Sequence, residues 1–198
     1  MLIAVSKTVP AERIAEAHRC GQRAFGENYV QEALAKMDAL RDLPLEWHYI
    51  GPIQSNKTRA IAERFHWVHG IDRVKIAQRL AAARPAGMPP LDVCIQVNVS
   101  GEASKGGVGP GQELELARAI ALLPRLRLRG LMAIPEPTDD VRLQRSRYAS
   151  VRCARDALDA SGYALDTLSM GMSDDLEAAI AEGATMVRVG TAIFGARR

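Results

Sequence analysis

Two rhythms of apolar residues alternate along this chain. Short runs rich in β-branched and apolar residues give way to longer stretches whose apolar positions recur at helical spacing, the pattern of parallel strands joined by crossover helices. The runs predict eight strands, at Leu2–Ser6, Arg23–Gly26, Glu46–Ile50, Trp67–Gly70, Asp92–Asn98, Leu128–Ala133, Thr167–Met170 and Met186–Gly190. Helical periodicity with polar outer faces covers Pro10–Arg19, Tyr29–Leu40, Asn56–Arg64, Arg73–Ala83, Gln112–Leu122, Val141–Ala160 and Asp174–Ala181. Pro10 suits a first helical position, Asp72 and Ser173 are placed to cap, and Gly162 and Gly183 stand where helices stop. Strict alternation favours a closed (β/α)8 barrel of the TIM type over an open doubly wound sheet. A length of 198 residues predicts one α/β domain over residues 1–198. The Gly-rich loop Gly101–Gly111 is expected to be mobile. The first strand begins at Leu2 with nothing before it to cover that end of the core, so a helix preceding it is expected to be missing.

Composition narrows the classes. Hydrophobic residues at 47% and charged residues at 25% are ordinary for a globular chain. The net charge of +3 comes from Lys and Arg spread among acids. With no recognition-helix motif and no aromatic RNA-binding signature, nucleic acid is not expected as a partner. No apolar run is long enough to span a bilayer and no signal peptide precedes the first strand, so a soluble, cytoplasmic protein is expected. Cys20, Cys94 and Cys153 are odd in number and widely spaced, which suits neither a disulfide framework nor zinc. Cys94, inside Leu91–Val97, reads as a small buried hydrophobe. His18, His48, His66 and His69 are not joined by cysteines or carboxylates at ligand spacing, so no metal is expected.

In a barrel the working face lies at the C-terminal ends of the strands. There the sequence places Lys7, Asn28, His48, Asn98, Ser173, Arg188, Gly190 and Thr191. Ala4-Val-Ser-Lys-Thr8 sends an amine out of an apolar strand into the barrel mouth. Burial among apolar walls lowers a lysine pKa and frees its lone pair to attack an aldehyde; the alternative is a lysine snorkelling to water. Met170-Gly-Met-Ser-Asp-Asp175 delivers Ser173 to a helix start, where free N–H groups, a hydroxyl and the dipole suit a phosphate, or where it is an ordinary cap. Gly190-Thr-Ala-Ile-Phe-Gly195 supplies a second turn able to close backbone amides on an anion, in the loops where barrels hold phosphate. An aldehyde-reactive lysine facing a phosphate cradle outlines a site for pyridoxal 5'-phosphate. Arg188 would then bond the pyridine nitrogen, unless it forms an ion pair inside the barrel. Asn28 is a candidate for the cofactor ring or a helix cap, and His48 for a cofactor contact or a hydrogen-bonded core residue. Gly51-Pro-Ile-Gln-Ser-Asn-Lys-Thr58 nearly fits a nucleotide-binding loop, but Asn56 replaces its second glycine, which argues against a nucleotide triphosphatase. Lys57 is read as a solvated helix start or as positive charge near the mouth, and Lys105 as a solvated loop residue, the alternative being that it reaches the mouth from the loop.

These segments, with Phe25-Gly-Glu-Asn-Tyr-Val-Gln-Glu32, Trp47-His-Tyr-Ile50, Arg129-Gly-Leu-Met-Ala-Ile134 and Leu168-Ser169, resemble the pyridoxal phosphate homeostasis protein family over nearly the whole chain. The resemblance implies a fold like the N-terminal barrel of alanine racemase, with a Schiff base on Lys7. Ser173, Gly190 and Thr191 would hold the phosphate and Arg188 the ring nitrogen. It also implies a carrier or regulator of intracellular vitamin B6, with pyridoxal phosphate-dependent apoenzymes as recipients. A monomer is expected, with a dimer as the alternative. The rival is a racemase-like enzyme. Racemisation needs a base on each face of the substrate α-carbon. In the racemases the second base comes from another domain of a partner subunit, and this chain is not expected to have that domain.

Overall fold

The computed structural model describes residues 1–101 and 106–195, so Lys105 and part of the Gly101–Gly111 loop lie outside the described residues. Eight strands alternate with helices. The strands are β1 (Leu2–Val5), β2 (Ala24–Glu27), β3 (Glu46–Tyr49), β4 (Trp67–Ile71), β5 (Leu91–Val97), β6 (Leu126–Ala133), β7 (Thr167–Ser169) and β8 (Val187–Val189). The helices are α1 (Ala11–Arg19), α2 (Val30–Ala39), α3 (Thr58–Arg64), α4 (Val74–Ala83), α5 (Glu113–Ala121), α6 (Val141–Ala160), α7 (Leu176–Ala181) and α8 (Thr191–Phe194), with a single 3-10 turn at Ser55–Lys57 before α3.

All strand pairs are parallel, in the order β7-β6-β5-β4-β3-β2-β1-β8. The ring closes where Ser169 bridges Met186. Around that bridge the Met170 N–H donates to the Met186 carbonyl at 3.0 Å and the Arg188 N–H to the Gly171 carbonyl at 2.9 Å. The expected barrel is therefore the observed one.

Side-chain alternation along each strand splits the interior into two parts. Ala4, Phe25, Trp47, Tyr49, Val68, Val93, Ile95, Leu131 and Leu168 point outward and pack with Ile14, Ile61, Ile76, Leu80, Ile120 and Tyr148 of the helices. Ile3, Ala24, Trp67, Cys94, Met132 and Met186 form a separate cluster inside the barrel. Interleaved with these on the inward side are buried polar residues: His48, His69, Ser169 and Arg188. Cys94 is a fully buried free thiol whose pKa is pushed up by burial, so it packs as the small hydrophobe expected.

Several expected starts shift. Pro10 is extended and stands just outside α1 as its N-cap rather than at the first helical position. Arg73, not Asp72, precedes α4, because the Asp72 carboxylate is taken by the Arg73 guanidinium at 2.7 Å. Ser173 does not cap: α7 starts at Leu176 with Asp175 before it. The best-formed cap belongs to Asp140, whose carboxylate accepts from Arg142 and Leu143 N–H at the start of the 20-residue α6. Gly162 and Gly183 follow their helices at φ +94° and +89°, as expected of C-terminal stops.

Candidate functional site

Lys7 lies two residues beyond β1, in a tight turn at the barrel mouth, partly buried. The turn is held from several sides. The Ser6 N–H continues the ladder to the Gly26 carbonyl, and the Val9 N–H closes on the Ser6 carbonyl at 3.0 Å. Thr8 takes a φ of 63°, and its N–H donates to Glu32 at 2.6 Å. Beneath the turn the buried Lys36 ammonium donates to the Ser6 carbonyl at 2.6 Å, to Glu27 at 2.8 Å and to Glu32 at 2.5 Å. Ser6 adds a hydroxyl bond to Glu27 at 2.6 Å. Burial raises the Glu27 pKa, against the lowering effect of Lys36 and Ser6. An ammonium with three oxygen acceptors is a charged brace, not a nucleophile. Sequence reasoning missed this brace. Its one visible signal was the Glu32–Lys36 spacing, which puts an ion pair on one helix face amid the apolar Ala33 and Met37.

The loops after β7 and β8 meet beside that turn. In the barrel register Ala4 pairs with Val189, so Gly190 packs on Val5, two residues before Lys7. Gly190 leads into α8 and its carbonyl accepts from the Ile193 and Phe194 N–H groups at 3.0 and 2.9 Å, so the N–H groups of Thr191 and Ala192 are the ones without a carbonyl inside the helix. Thr191 Oγ1 donates to Ser173 Oγ at 3.2 Å, which joins the two loops. Ser173 is placed by a turn rather than by a helix cap. The Met172 N–H donates to Asp175 at 2.6 Å, and the hydroxyl of buried Tyr148 donates to the other Asp175 oxygen at 2.7 Å. Gly171 sits in the same turn at φ +94°, where an added Cβ would lie 2.6 Å from the Ala179 Cβ.

Arg188 rises from β8 into the lumen, 3% exposed. One terminal nitrogen donates to the Ser169 carbonyl at 2.6 Å and hydroxyl at 2.7 Å, and the other to the Ala133 carbonyl at 2.8 Å. Among the described residues its Nε–H makes no hydrogen bond. The alternative of an ion pair with an Asp or Glu inside the barrel is not what these contacts show. Burial lowers the Arg188 pKa from its ordinary value.

His48 is not brought to the mouth. It is fully buried in the lumen, stacked on Trp67 with ring centroids 5.6 Å apart, its Nδ1 3.0 Å from His69 Nε2. Asn28 follows β2, and its Oδ1 is buried without a partner. With Tyr29, Gln31, Tyr49, Gln54 and Lys57 it lines a pocket of about 410 Å³. Gly51 is spent on packing, since a Cβ there would meet the Asn28 carbonyl at 2.5 Å. The near-match to a nucleotide loop is thus packed against its neighbour instead of opening as a phosphate cup. No group of three or more His, Cys, Asp or Glu placed to hold a metal occurs among the described residues, and no helix there is long and apolar enough to cross a membrane.

The alanine racemase N-terminal domain model matches residues 1–198. A pyridoxal phosphate homeostasis protein of Pseudomonas aeruginosa is 65% identical over 196 residues, spanning 99% of this chain and 84% of the relative. The chain belongs to the pyridoxal phosphate homeostasis protein family. A second family member, from Escherichia coli, is 57% identical over 199 residues, spanning 99% of this chain and 85% of its own. Among solved structures, PipY of Synechococcus elongatus with PLP bound is similar with a TM-score of 0.90 at 40% identity, covering 98% of this chain and 92% of that one. An alanine racemase of Clostridium difficile has a TM-score of 0.78 at 14% identity and is covered over 52% of its length, a likeness of fold alone.

Proposed function

We propose that this protein holds pyridoxal 5'-phosphate at the barrel mouth, attached through Lys7, and serves the cytoplasmic supply of that cofactor to apoenzymes without turning over a substrate. The observation that carries the reading is the convergence of three loops. Gly190 lies against Val5, two residues before Lys7, its neighbour Thr191 bonds Ser173, and Arg188 stands two residues before Gly190 in β8. The residues fit the group. Two hydroxyls and a glycine turn suit a phosphate, Arg188 has an Nε–H in hand, and Asn28 Oδ1 is a buried acceptor without a partner. The names of the relatives, and the relative solved with PLP bound, support the same assignment.

When bound, pyridoxal phosphate supplies an aldehyde for an amine to capture and a ring able to withdraw electrons. In this reading the Lys7 turn presents the amine, and the Lys36 brace keeps it from swinging away. Ser173, Gly190 and Thr191 orient the phosphate, while Asn28 meets the ring from the β2 side. A cationic Arg188 disfavours a proton on the ring nitrogen and so weakens electron withdrawal, which favours storage over racemisation. His48 contributes at one remove, through its neighbours in the lumen.

Two assays on the loaded protein test storage against turnover. The reading expects transfer of cofactor to an apoenzyme that uses it, and no exchange of amino-acid α-protons with solvent deuterium. Exchange with any amino acid of a broad panel would establish catalysis and overturn it.

A further inference from the structure

A line of buried polar side chains crosses the apolar lumen. Arg188 donates to Ser169 Oγ at 2.7 Å, Ser169 Oγ stands 2.8 Å from His69 Nδ1, and His69 Nε2 stands 3.0 Å from His48 Nδ1. His48 Nε2 then lies 3.1 Å from Glu46 Oε1, off the axis of a linear hydrogen bond, at the opposite end of the barrel. Its members come from β3, β4, β7 and β8. Elsewhere the lumen is lined by Ile3, Ala24, Trp67, Cys94 and Met132. A buried polar chain in such surroundings costs desolvation that apolar packing would avoid, so its presence calls for a role.

With both rings neutral, as burial favours, only two proton arrangements satisfy the two histidines. In one, both carry hydrogen on Nε2, and every donor points from Arg188 toward Glu46. In the other, both carry it on Nδ1, and His48 turns an unprotonated Nε2 toward the Glu46 carboxylate, lone pair against anion. A guanidinium donates only and a carboxylate accepts only, so the two ends select the first arrangement. Ser169 Oγ then accepts from Arg188 and passes its own hydrogen to His69.

We propose that His48, His69 and Ser169 are positioning residues that form a hydrogen-bonded line, its polarity fixed by the Glu46 carboxylate beside His48 Nε2, and lock Arg188 in the rotamer that offers its Nε–H to the cofactor ring. The proposal rests on the placement of Arg188 at that ring. With both terminal nitrogens anchored to Ser169 and Ala133, Nε is the guanidinium nitrogen without a hydrogen bond among the described residues. The line reaches from the mouth to Glu46, whose side chain is 38% exposed, and so ties the geometry of the site to the N-terminal rim of the barrel.

The first test needs no cofactor. Long-range proton–nitrogen correlation of ¹⁵N-histidine-labelled protein, with His48→Gln and His69→Gln for assignment, reads protonation at each ring nitrogen. Both rings should be neutral with hydrogen on Nε2 from about pH 7 to about pH 8. Hydrogen on Nδ1 of either ring, or a titration in that range, would overturn the line. The second test uses Ser169→Ala, which removes both the acceptor for Arg188 and the donor to His69 without adding bulk. Its affinity for pyridoxal phosphate should fall roughly tenfold and the His69 Nδ1 resonance should move. Wild-type affinity in Ser169→Ala alongside a large loss in Arg188→Gln would contradict the positioning role. Wild-type affinity in both would contradict the placement of Arg188 at the ring, on which the proposal rests.

Discussion

Gly171 shows how much one residue carries. Its φ of +94° and the 2.6 Å that would separate an added Cβ from Ala179 leave no room for a side chain in the turn that presents Ser173. Gly171→Ala should cost about 2–3 kcal/mol in urea unfolding, from left-handed strain plus overpacking. A variant as stable as the wild type would mean that the turn relaxes. The histidines predict a pH dependence. Burial holds His48 and His66 below the ordinary value of 6.5, and His69 well below it. The unfolded chain therefore takes up protons before the folded one. Stability from these groups is whole above pH 6.5 and is lost as pH falls from there toward the folded pKa values. The fully buried His48 and His69 should each remove up to about 1.4 kcal/mol per pH unit in that window. Urea midpoints measured on either side of the window check this, and a flat profile would contradict the neutral, buried assignment. None of this was legible from residue type, because His48, His69 and Ser169 meet only on folding, 21 and 100 positions apart.

The turn after β1 depends on α2. Lys36 braces the Ser6 carbonyl and compensates the buried Glu27 carboxylate, so Lys36→Met leaves that carboxylate unpaired. The expected loss is about 3 kcal/mol, with weaker cofactor retention as the Lys7 turn loosens. The double variant Glu27→Gln with Lys36→Met should recover much of the stability but not the retention. Equal recovery of both would show that the brace does not position Lys7. The strands and long helices were legible because their periods differ, and α6 was read to the residue at Val141–Ala160. Helix starts were less so. Asp72 and Ser173 have the right side chains for caps, yet one carboxylate went to Arg73 and the helix after Ser173 begins only at Leu176. The four-residue α8 was too short to give a period.

At the scale of the molecule, the barrel is held unevenly. β5 and β6 pair over seven residues from Leu91–Leu126 to Val97–Ala133, whereas β7 meets the β8 segment through the single bridge Ser169–Met186 and the few bonds around it. Amides along that seam should exchange with deuterium faster than those of β5 and β6, and uniform protection would contradict this ranking. The same seam carries Ser169, Ser173, Arg188 and Thr191, so opening there and release of a ligand are expected to be linked. The sequence placed Lys7, Ser173, Arg188, Gly190 and Thr191 at strand ends, and the barrel brings Thr191 to Ser173 and Gly190 to Val5, two residues before Lys7, because strand ends in a barrel carry distant loops to one face. The support beneath them was not, since Lys36, Tyr148 and Asp175 reach the site from helices and turns whose packing no motif announces. The most direct test of the central claim is borohydride reduction of the protein loaded with pyridoxal phosphate, followed by mass-spectrometric mapping of the modified lysine. The account predicts a single pyridoxyl label on Lys7, absent from Lys7→Ala; a label on another lysine, or one that survives in Lys7→Ala, would contradict it.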